Sequence, residues 1–142
     1  MLNDIGKVLT YDDFNSKPKV GVDWDGCIST YKHGWQGADI IQDEPVEGAI
    51  QFLEKASKHF ELIIFSTRCN HLAGILEMQK WLSVYGLTEE AINRITFQPG
   101  KPPFHLFIDD RATMFQGNWN SLTIEGIHKF KPWYYGKEGW GR

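Results

Sequence analysis

The sequence predicts an α/β fold built on a single, doubly wound parallel sheet with helices on both faces. Two observations lead to this prediction. Short apolar runs of strand length alternate along the chain with longer segments whose apolar residues recur at helical spacing. One run, within ELIIFS at residues 61–66, is a continuous apolar stretch bounded by polar residues, which is typical of a parallel strand buried on both faces. A chain of 142 residues is long enough to bury one such core.

The first part of the chain predicts an extension, a strand, a flap and a helix. Residues 1–18 look like an N-terminal extension that ends in the breaker-rich stretch NSKPK. KVGVD at 19–23 indicates a short buried strand, and the glycine-rich residues 26–44 suit a loop or a small hairpin flap. Residues 44–60 have a helical apolar period, and Pro45 suits a first helical turn.

The second part continues the alternation of strands and helices. The strand at 61–66 precedes a helix at 71–86, for which Gly86 is a suitable stop. Further predicted elements are a short helical turn in TEEAIN, strands at 94–97 and 104–108, and a possible fifth strand at 121–125. We therefore divide the chain into the extension 1–18, a core at 19–128 and an aromatic and basic tail at 129–142.

Composition bounds the classes of function. The chain is 42% hydrophobic and carries a net charge of −3, which argues against a strongly basic nucleic-acid clamp. Its two cysteines make no disulfide framework. No signal peptide is evident at the N-terminus, and no apolar run approaches the ~18 residues of a membrane span. We expect a cytoplasmic protein without membrane contact.

Polar side chains of a particular kind follow the predicted strands. Because the carboxyl ends of parallel strands meet at one edge of a sheet, where ligands bind, these groups should gather there. Several carboxylates in one small volume repel each other unless a cation neutralises them, and Mg²⁺ prefers oxygen ligands. A lysine and a hydroxyl would then serve a phosphoryl group. The residues are Asp23 and Asp25, then Ser66, Thr67 and Arg68, then Lys101, Asp109, Asp110 and Arg111.

Four segments carry a family resemblance. VGVDWDGC, LIIFST, GKPP and LFIDDR, in this order, resemble the four motifs of the haloacid dehalogenase (HAD) superfamily of phosphatases. The similarity covers about residues 19–125. It implies a Rossmann-like core and, because neither interval between the motifs has room for an inserted domain, a minimal cap or none.

The resemblance also implies a role for each motif residue. Asp23 would be the nucleophile that forms an aspartyl-phosphate, and Asp25 the general acid/base. Ser66 would bind phosphoryl oxygens, with Thr67 as a weaker candidate, and Lys101 would neutralise the phosphoryl charge. The residue two positions after the nucleophile is Asp25, and an aspartate at that place resembles the pattern of the phosphatase and phosphomutase branches of the superfamily.

The metal and substrate residues follow in the same way. Mg²⁺ would be bound by Asp23, Asp25 through its main-chain carbonyl, and the Asp109–Asp110 pair, with Asp110 favoured as the direct ligand. Gly26 would let the chain turn tightly beside the substrate. Together with Thr67, Arg68 and Arg111 it completes the set of candidate substrate-binding residues.

Several of these residues have a plainer interpretation. Ser66 and Thr67 could cap the following helix, and Lys101 could be a solvated loop lysine. Arg68 and Arg111 are phosphate forks or structural partners of the acids. Cys27 stands where the family often has threonine, and it and Cys69 are expected to be buried, inert thiols. His33, His71 and His105 are not expected to bind metal.

The substrate is the least determined feature. A capless site suits large substrates, and the short layout resembles nucleotidases and polynucleotide phosphatases, so we expect a nucleotide or a nucleic-acid terminal phosphate. A phosphosugar or a phosphoprotein is an alternative, as is a non-catalytic nucleic-acid-binding protein with this fold. Trp35 could stack on a base or anchor the flap. The aromatic tail suits stacking on single strands, but packing on the domain or in a homo-oligomer is favoured.

Overall fold

A computed structural model describes residues 17–137 and contains a sheet of four parallel strands. The strands lie in the order β3-β2-β1-β4, so that β1 has β2 on one side and β4 on the other. Their bounds are β1 Lys19–Val22, β2 Glu61–Phe65, β3 Thr96–Gln98 and β4 Leu106–Ile108. The α/β class is confirmed. The four predicted strands between residues 19 and 108 all form, and the predicted extension 1–18 lies almost wholly outside the described residues.

Three helices pack against one face of this sheet. They are α1 (Ala49–Ala56), α2 (Leu72–Val84) and α3 (Glu89–Arg94). Alternate strand residues, among them Val20, Val22, Leu62 and Ile64, join side chains of all three helices in one hydrophobic core. The chain moves from β1 to β2 to β3 in one direction along the sheet, so right-handed crossovers place the intervening helices on the same face.

On the opposite face, the described residues place aromatic side chains against the sheet. The connection from β3 to β4 spans only residues 99–105 and contains two prolines, so it is too short for a helix. Phe104, in that connection, stacks on Phe107 of β4 with ring centroids 5.3 Å apart. A Cβ built on Gly21 of β1 would lie 2.4 Å from the Phe104 ring, so only glycine leaves room for it there. The prediction of helices on both faces is therefore wrong for the described residues.

The predicted flap is a hairpin that takes in the start of the predicted helix. Thr30 N donates to Glu44 O over 3.0 Å and Val46 N donates to Ile28 O over 2.8 Å, which pairs the two arms. The helix predicted from residue 44 begins only at Ala49, because Gly48 has a left-handed φ of 84° and residues 44–46 belong to the hairpin.

After β4 the chain forms no further strand in the described part. The fifth strand predicted at 121–125 is wrong: Trp119–Ser121 is a 3₁₀ turn and α4 spans Ile124–Lys129. Asn118 and Thr123 each accept a hydrogen bond from a backbone N–H two or three residues later, which favours helical turns over a strand at this point. Helix α4 buries none of its side chains.

The last described residues return to the sheet. Tyr134 is only 3% exposed and Trp133 donates a hydrogen bond to the main chain of the first motif. For these residues the packing interpretation of the tail is confirmed. Among the described helices, none is both long enough and apolar enough to cross a membrane.

Candidate active site

Three carboxylates gather where β1 and β4 end side by side. Asp23 follows β1, and its N–H donates to the carbonyl of Ile108, the last residue of β4, over 2.9 Å. Asp109 and Asp110 follow Ile108 directly. The strand order reverses its direction between β1 and β4, and such a point is where open parallel sheets form a ligand-binding crevice. The prediction that these three acids meet at one edge of the sheet is confirmed.

Asp23 and Asp110 lie close enough to shift each other's pKa. Burial raises the pKa of Asp23 to about 8, and a hydrogen bond with Asp110 and the charges of Asp109 and Asp110 add to this effect. Burial also raises the pKa of Asp110, but hydrogen bonds from Tyr134, Asp23 and Asp109 outweigh it and leave that pKa below its usual range. The two carboxyl groups therefore titrate as a coupled pair, in which Asp23 is the more easily protonated member.

Gly26 makes the tight turn that the sequence predicts. Its φ is +83°, and a Cβ at this position would lie 2.4 Å from Oδ2 of Asp110 and 2.8 Å from the ring of Tyr134. Position 26 thus accommodates only glycine, because the Asp110 carboxylate and the Tyr134 ring occupy the space of a side chain. Gly26 lies next to the acids, so its predicted contact with substrate stays a prediction.

Asp25 is paired with Arg68. The Arg68 guanidinium donates to Asp25 through Nη2 at 2.9 Å and through Nε at 3.2 Å to each oxygen. Among residues 17–137, the carboxyl oxygens and thiol close enough to share one metal ion belong to Asp23, Cys27 and Asp110, without Asp25. A metal role for Asp25 through its side chain is thus not supported, and its main-chain carbonyl remains the predicted ligand.

Arg68 is a structural partner of Asp25 and of the flap. It is 1% exposed, and its Nη1 donates to the carbonyls of Gly37, Ala38 and Ile40 in the flap at 2.8–3.1 Å. The Trp35 ring covers one face of the guanidinium at 4.8 Å. These contacts fit the structural interpretation of Arg68, while its predicted substrate-binding role stays a prediction. The arginine joins the flap to Asp25, and Trp35 anchors the flap.

Ser66 and Thr67 follow β2 at the same edge of the sheet. Ser66 is buried, and its Oγ accepts a hydrogen bond from Arg68 N over 3.2 Å, so it caps the 3₁₀ turn Thr67–Asn70. The capping interpretation is confirmed for Ser66. The hydroxyl hydrogen can still donate to an anion, so its predicted phosphoryl contact stays a prediction, as does that of exposed Thr67.

Lys101 and Arg111 are less engaged with the acids than expected. Lys101 lies with Nζ 5.0 Å from the centre of the Phe107 ring, and among the described residues it forms no ion pair with a carboxylate. Its predicted place beside the nucleophile is not seen here. Arg111 is largely exposed, and its Nε lies 4.0 Å from Asp110 Oδ2, so it remains available to a ligand.

Both cysteines are free thiols; Cys69 is buried as expected, whereas Cys27 is only partly buried. Burial, followed by the charges of Asp23, Asp110 and Asp109, raises the pKa of the Cys27 thiol, and burial raises that of Cys69 to about 11. Neither is a thiolate near neutral pH, which agrees with the expectation of inert thiols. Cys27 nevertheless lies beside Asp23 and Asp110, where a thiol is compatible with neighbouring acids because it stays neutral.

Sequence reasoning missed Tyr134 as a site residue. Its hydroxyl donates to Asp110 Oδ2 over 2.7 Å, although it lies 24 positions away in the tail. Trp133 Nε1 likewise donates to the carbonyl of Gly26 over 2.8 Å, across 107 positions. The only sequence signal was the density of aromatic residues in WYY, which gives no contact partner.

The donor set suits a hard divalent cation. Asp23 and Asp110 are close enough to share a hydrogen bond, and Asp109 adds a third nearby charge. The raised pKa of Asp23 shows that a second full negative charge is unfavourable here without a compensating cation. Carboxylate oxygens in this number fit Mg²⁺, which keeps several waters and needs only one or two carboxylates from the protein.

Comparison of the chain with models of protein families, with curated proteins and with solved structures finds no match.

Proposed function

We propose that this protein is a Mg²⁺-dependent phosphomonoester hydrolase with a HAD-like core, acting through an aspartyl-phosphate intermediate. The observation that carries the proposal is the meeting of Asp23, Asp109 and Asp110 at the switch point between β1 and β4. The four motifs provide the second support, because they follow one another in the order of the HAD phosphatases. Phosphoryl transfer depends mainly on positioning and on charge neutralisation. The three acids would hold a cation that does both, and Arg111 adds a positive charge.

The first step assigns separate tasks to two acids. An oxygen of the Asp23 carboxylate attacks phosphorus, so that an O–P bond forms while the bond from phosphorus to the ester oxygen breaks. Asp25 donates a proton to that leaving oxygen, which requires its carboxyl group to turn away from Arg68, its partner in the structure. A bound Mg²⁺ would favour the ionised form of Asp23 and offset the charge of the phosphoryl oxygens.

The second step returns the enzyme to its starting state. Asp25, now ionised, takes a proton from a water molecule whose oxygen attacks phosphorus. The O–P bond to Asp23 breaks, which releases inorganic phosphate and restores the carboxylate. In the structure the Arg68 guanidinium pairs with the ionised form of Asp25, which is the form that acts as the base in this second step.

The proposed substrate is a nucleotide or a nucleic-acid terminal phosphate. Between β1 and β2, and between β2 and β3, the chain holds the flap, the 3₁₀ turn and the helices α1 to α3, so the segments between these described strands contain no cap domain. Trp35 lies on the flap, and one face of its ring covers Arg68. The ring is still half exposed, so its other surface could stack on a base. Largely exposed Arg111 offers a cation to the phosphate.

A phosphatase panel tests the proposal. Wild-type protein with Mg²⁺ is assayed for phosphate release from nucleotides, phosphosugars and oligonucleotides with 3′- or 5′-phosphates. Asp23→Asn is the catalytic variant, and Asp39→Asn, an exposed aspartate of the flap, is the matched control. We expect turnover that needs Mg²⁺, its loss in Asp23→Asn and its retention in Asp39→Asn. Absence of turnover on every substrate, or full activity of Asp23→Asn, contradicts the proposal and favours a binding protein with this fold.

A further inference from the structure

Two tail residues contact both halves of the candidate metal site. Tyr134 contacts the residues after β4 through Asp110, and Trp133 contacts the turn after β1 through the carbonyl of Gly26. The two side chains are adjacent in sequence, and their rings meet edge to face at 5.6 Å. The tail therefore connects the two strand ends whose side chains form the carboxylate cluster.

The direction of the Tyr134 hydrogen bonds follows from the donors available. The Tyr134 hydroxyl oxygen lies 3.1 Å from Arg111 Nη2 and 2.7 Å from Asp110 Oδ2. A guanidinium can only donate, so the hydroxyl oxygen accepts from Arg111 and its single hydrogen points to Asp110. A hydrogen bond to an ionised carboxylate is stronger than one between neutral groups. Rotation of the Asp110 carboxylate would break this bond.

The ring of Tyr134 is held as firmly as its hydroxyl. Tyr134 is 3% exposed, and its ring occupies the space that the missing side chain of Gly26 leaves. A buried ring with a fixed hydroxyl gives Asp110 one orientation before any ligand arrives, and this kind of preorganisation reduces the cost of binding.

We propose that Tyr134 is a positioning residue, which orients the Asp110 carboxylate for cation binding and for its contact with Asp23. The inference rests on the proposed function, in which Asp110 binds Mg²⁺. Partners of metal-ligating carboxylates commonly change metal affinity 10–100-fold when they are removed. Tyr134 acts through Asp110 and does not itself touch the substrate.

The test compares two conservative substitutions in the full-length protein. Tyr134→Phe removes the hydroxyl and keeps the buried ring. Tyr135→Phe makes the same change at the next position, where the side chain is 57% exposed and its hydroxyl forms no hydrogen bond with residues 17–137. Binding of MgCl₂ alone is measured by titration calorimetry, and thermal unfolding is recorded without the metal.

We expect Tyr134→Phe to weaken Mg²⁺ binding about 10-fold, while Tyr135→Phe binds like the wild type. In the turnover assay, Tyr134→Phe should need a correspondingly higher Mg²⁺ concentration and should approach wild-type kcat at saturation. An unchanged Mg²⁺ affinity in Tyr134→Phe, or equal losses in both variants, overturns the inference.

The same measurements separate this inference from the proposed function. Wild-type protein that binds Mg²⁺ but hydrolyses no phosphomonoester contradicts the proposed function, while the calorimetric comparison still decides the role of Tyr134. Wild-type protein that hydrolyses substrate, together with an unchanged affinity in Tyr134→Phe, contradicts the inference alone. Wild-type protein that binds no Mg²⁺ contradicts both.

Discussion

Replacement of Arg68 by methionine should destabilise the protein more than any other single arginine substitution in the described chain. Arg68 is 1% exposed and donates to both oxygens of Asp25 and to three flap carbonyls. Methionine fills a similar volume without any donor. The variant therefore removes the guanidinium contacts of a largely buried carboxylate and one hydrogen-bond donor from each of three flap carbonyls.

The magnitude follows from the loss of one member of a buried ion pair. Removal of one partner costs about 3–5 kcal/mol, because the remaining charge stays in a poorly solvated place. The Asp25 side chain is only 16% exposed, so little water reaches it. Globular domains have about 5–15 kcal/mol of total stability, so this loss is a large part of the whole. The flap should loosen as well, because Arg68 contacts Gly37, Ala38 and Ile40.

Urea unfolding followed by tryptophan fluorescence measures the effect, since the chain contains six tryptophans. Arg94→Met is the matched control: Arg94 is exposed, and it makes one long hydrogen bond of 3.4 Å to Ser57. We expect the control to change the unfolding free energy by about 0.5 kcal/mol or less. The double variant Arg68→Met with Asp25→Asn should recover part of the loss, because the carboxylate charge that Arg68 neutralises in the wild type is also removed.

A loss of unfolding free energy below about 1 kcal/mol in Arg68→Met would contradict the cost assigned to breaking the buried ion pair. A loss equal to that of Arg94→Met would contradict it as well. Either result would mean that water or another group replaces the guanidinium at no cost. An additive double variant would show that the pair itself contributes nothing beyond the two separate side chains.

Two further predictions concern the carboxylate cluster. Without Mg²⁺, the unfolding free energy should fall by a few kcal/mol as pH rises from about 4 to about 8, because folding raises the pKa of Asp23 from 3.8 to about 8 and the folded state alone keeps that proton. Urea unfolding across this pH range should show the fall. Saturating Mg²⁺ should make the unfolding free energy nearly independent of pH. If it is independent of pH without metal, the coupling of Asp23 and Asp110 is contradicted. Gly26→Ala should cost about 1–3 kcal/mol more than Gly48→Ala in the same assay, because the two glycines have φ of 83° and 84° but only a Cβ at position 26 meets Asp110 and Tyr134. Equal losses would show that the backbone angle alone determines the cost.

Local patterns predicted the strands and the edge where the acids lie. A continuous apolar run such as LIIF has apolar side chains on both faces of the strand, which is typical of a strand inside a parallel sheet. The class of fold could therefore be predicted from these residues. The strand ends then had to share one edge, which brought Asp23 and Asp110 together. Two predictions failed for local reasons. The first helix was expected to start at residue 44, but residues 44–46 form hydrogen bonds within the flap. A fifth strand was expected at 121–125, but this segment follows Asn118, which caps a 3₁₀ turn.

Between residues 19 and 108, local sequence patterns were enough to predict the order of strands and helices and the polar groups at the strand ends. The partner of each polar group came from the packing of distant segments. Asp25 faces Arg68, Lys101 lies on Phe107, and Tyr134 reaches Asp110. The physical reason is that a side chain's direction and partner depend on segments many positions away, which pack together only when the whole core forms.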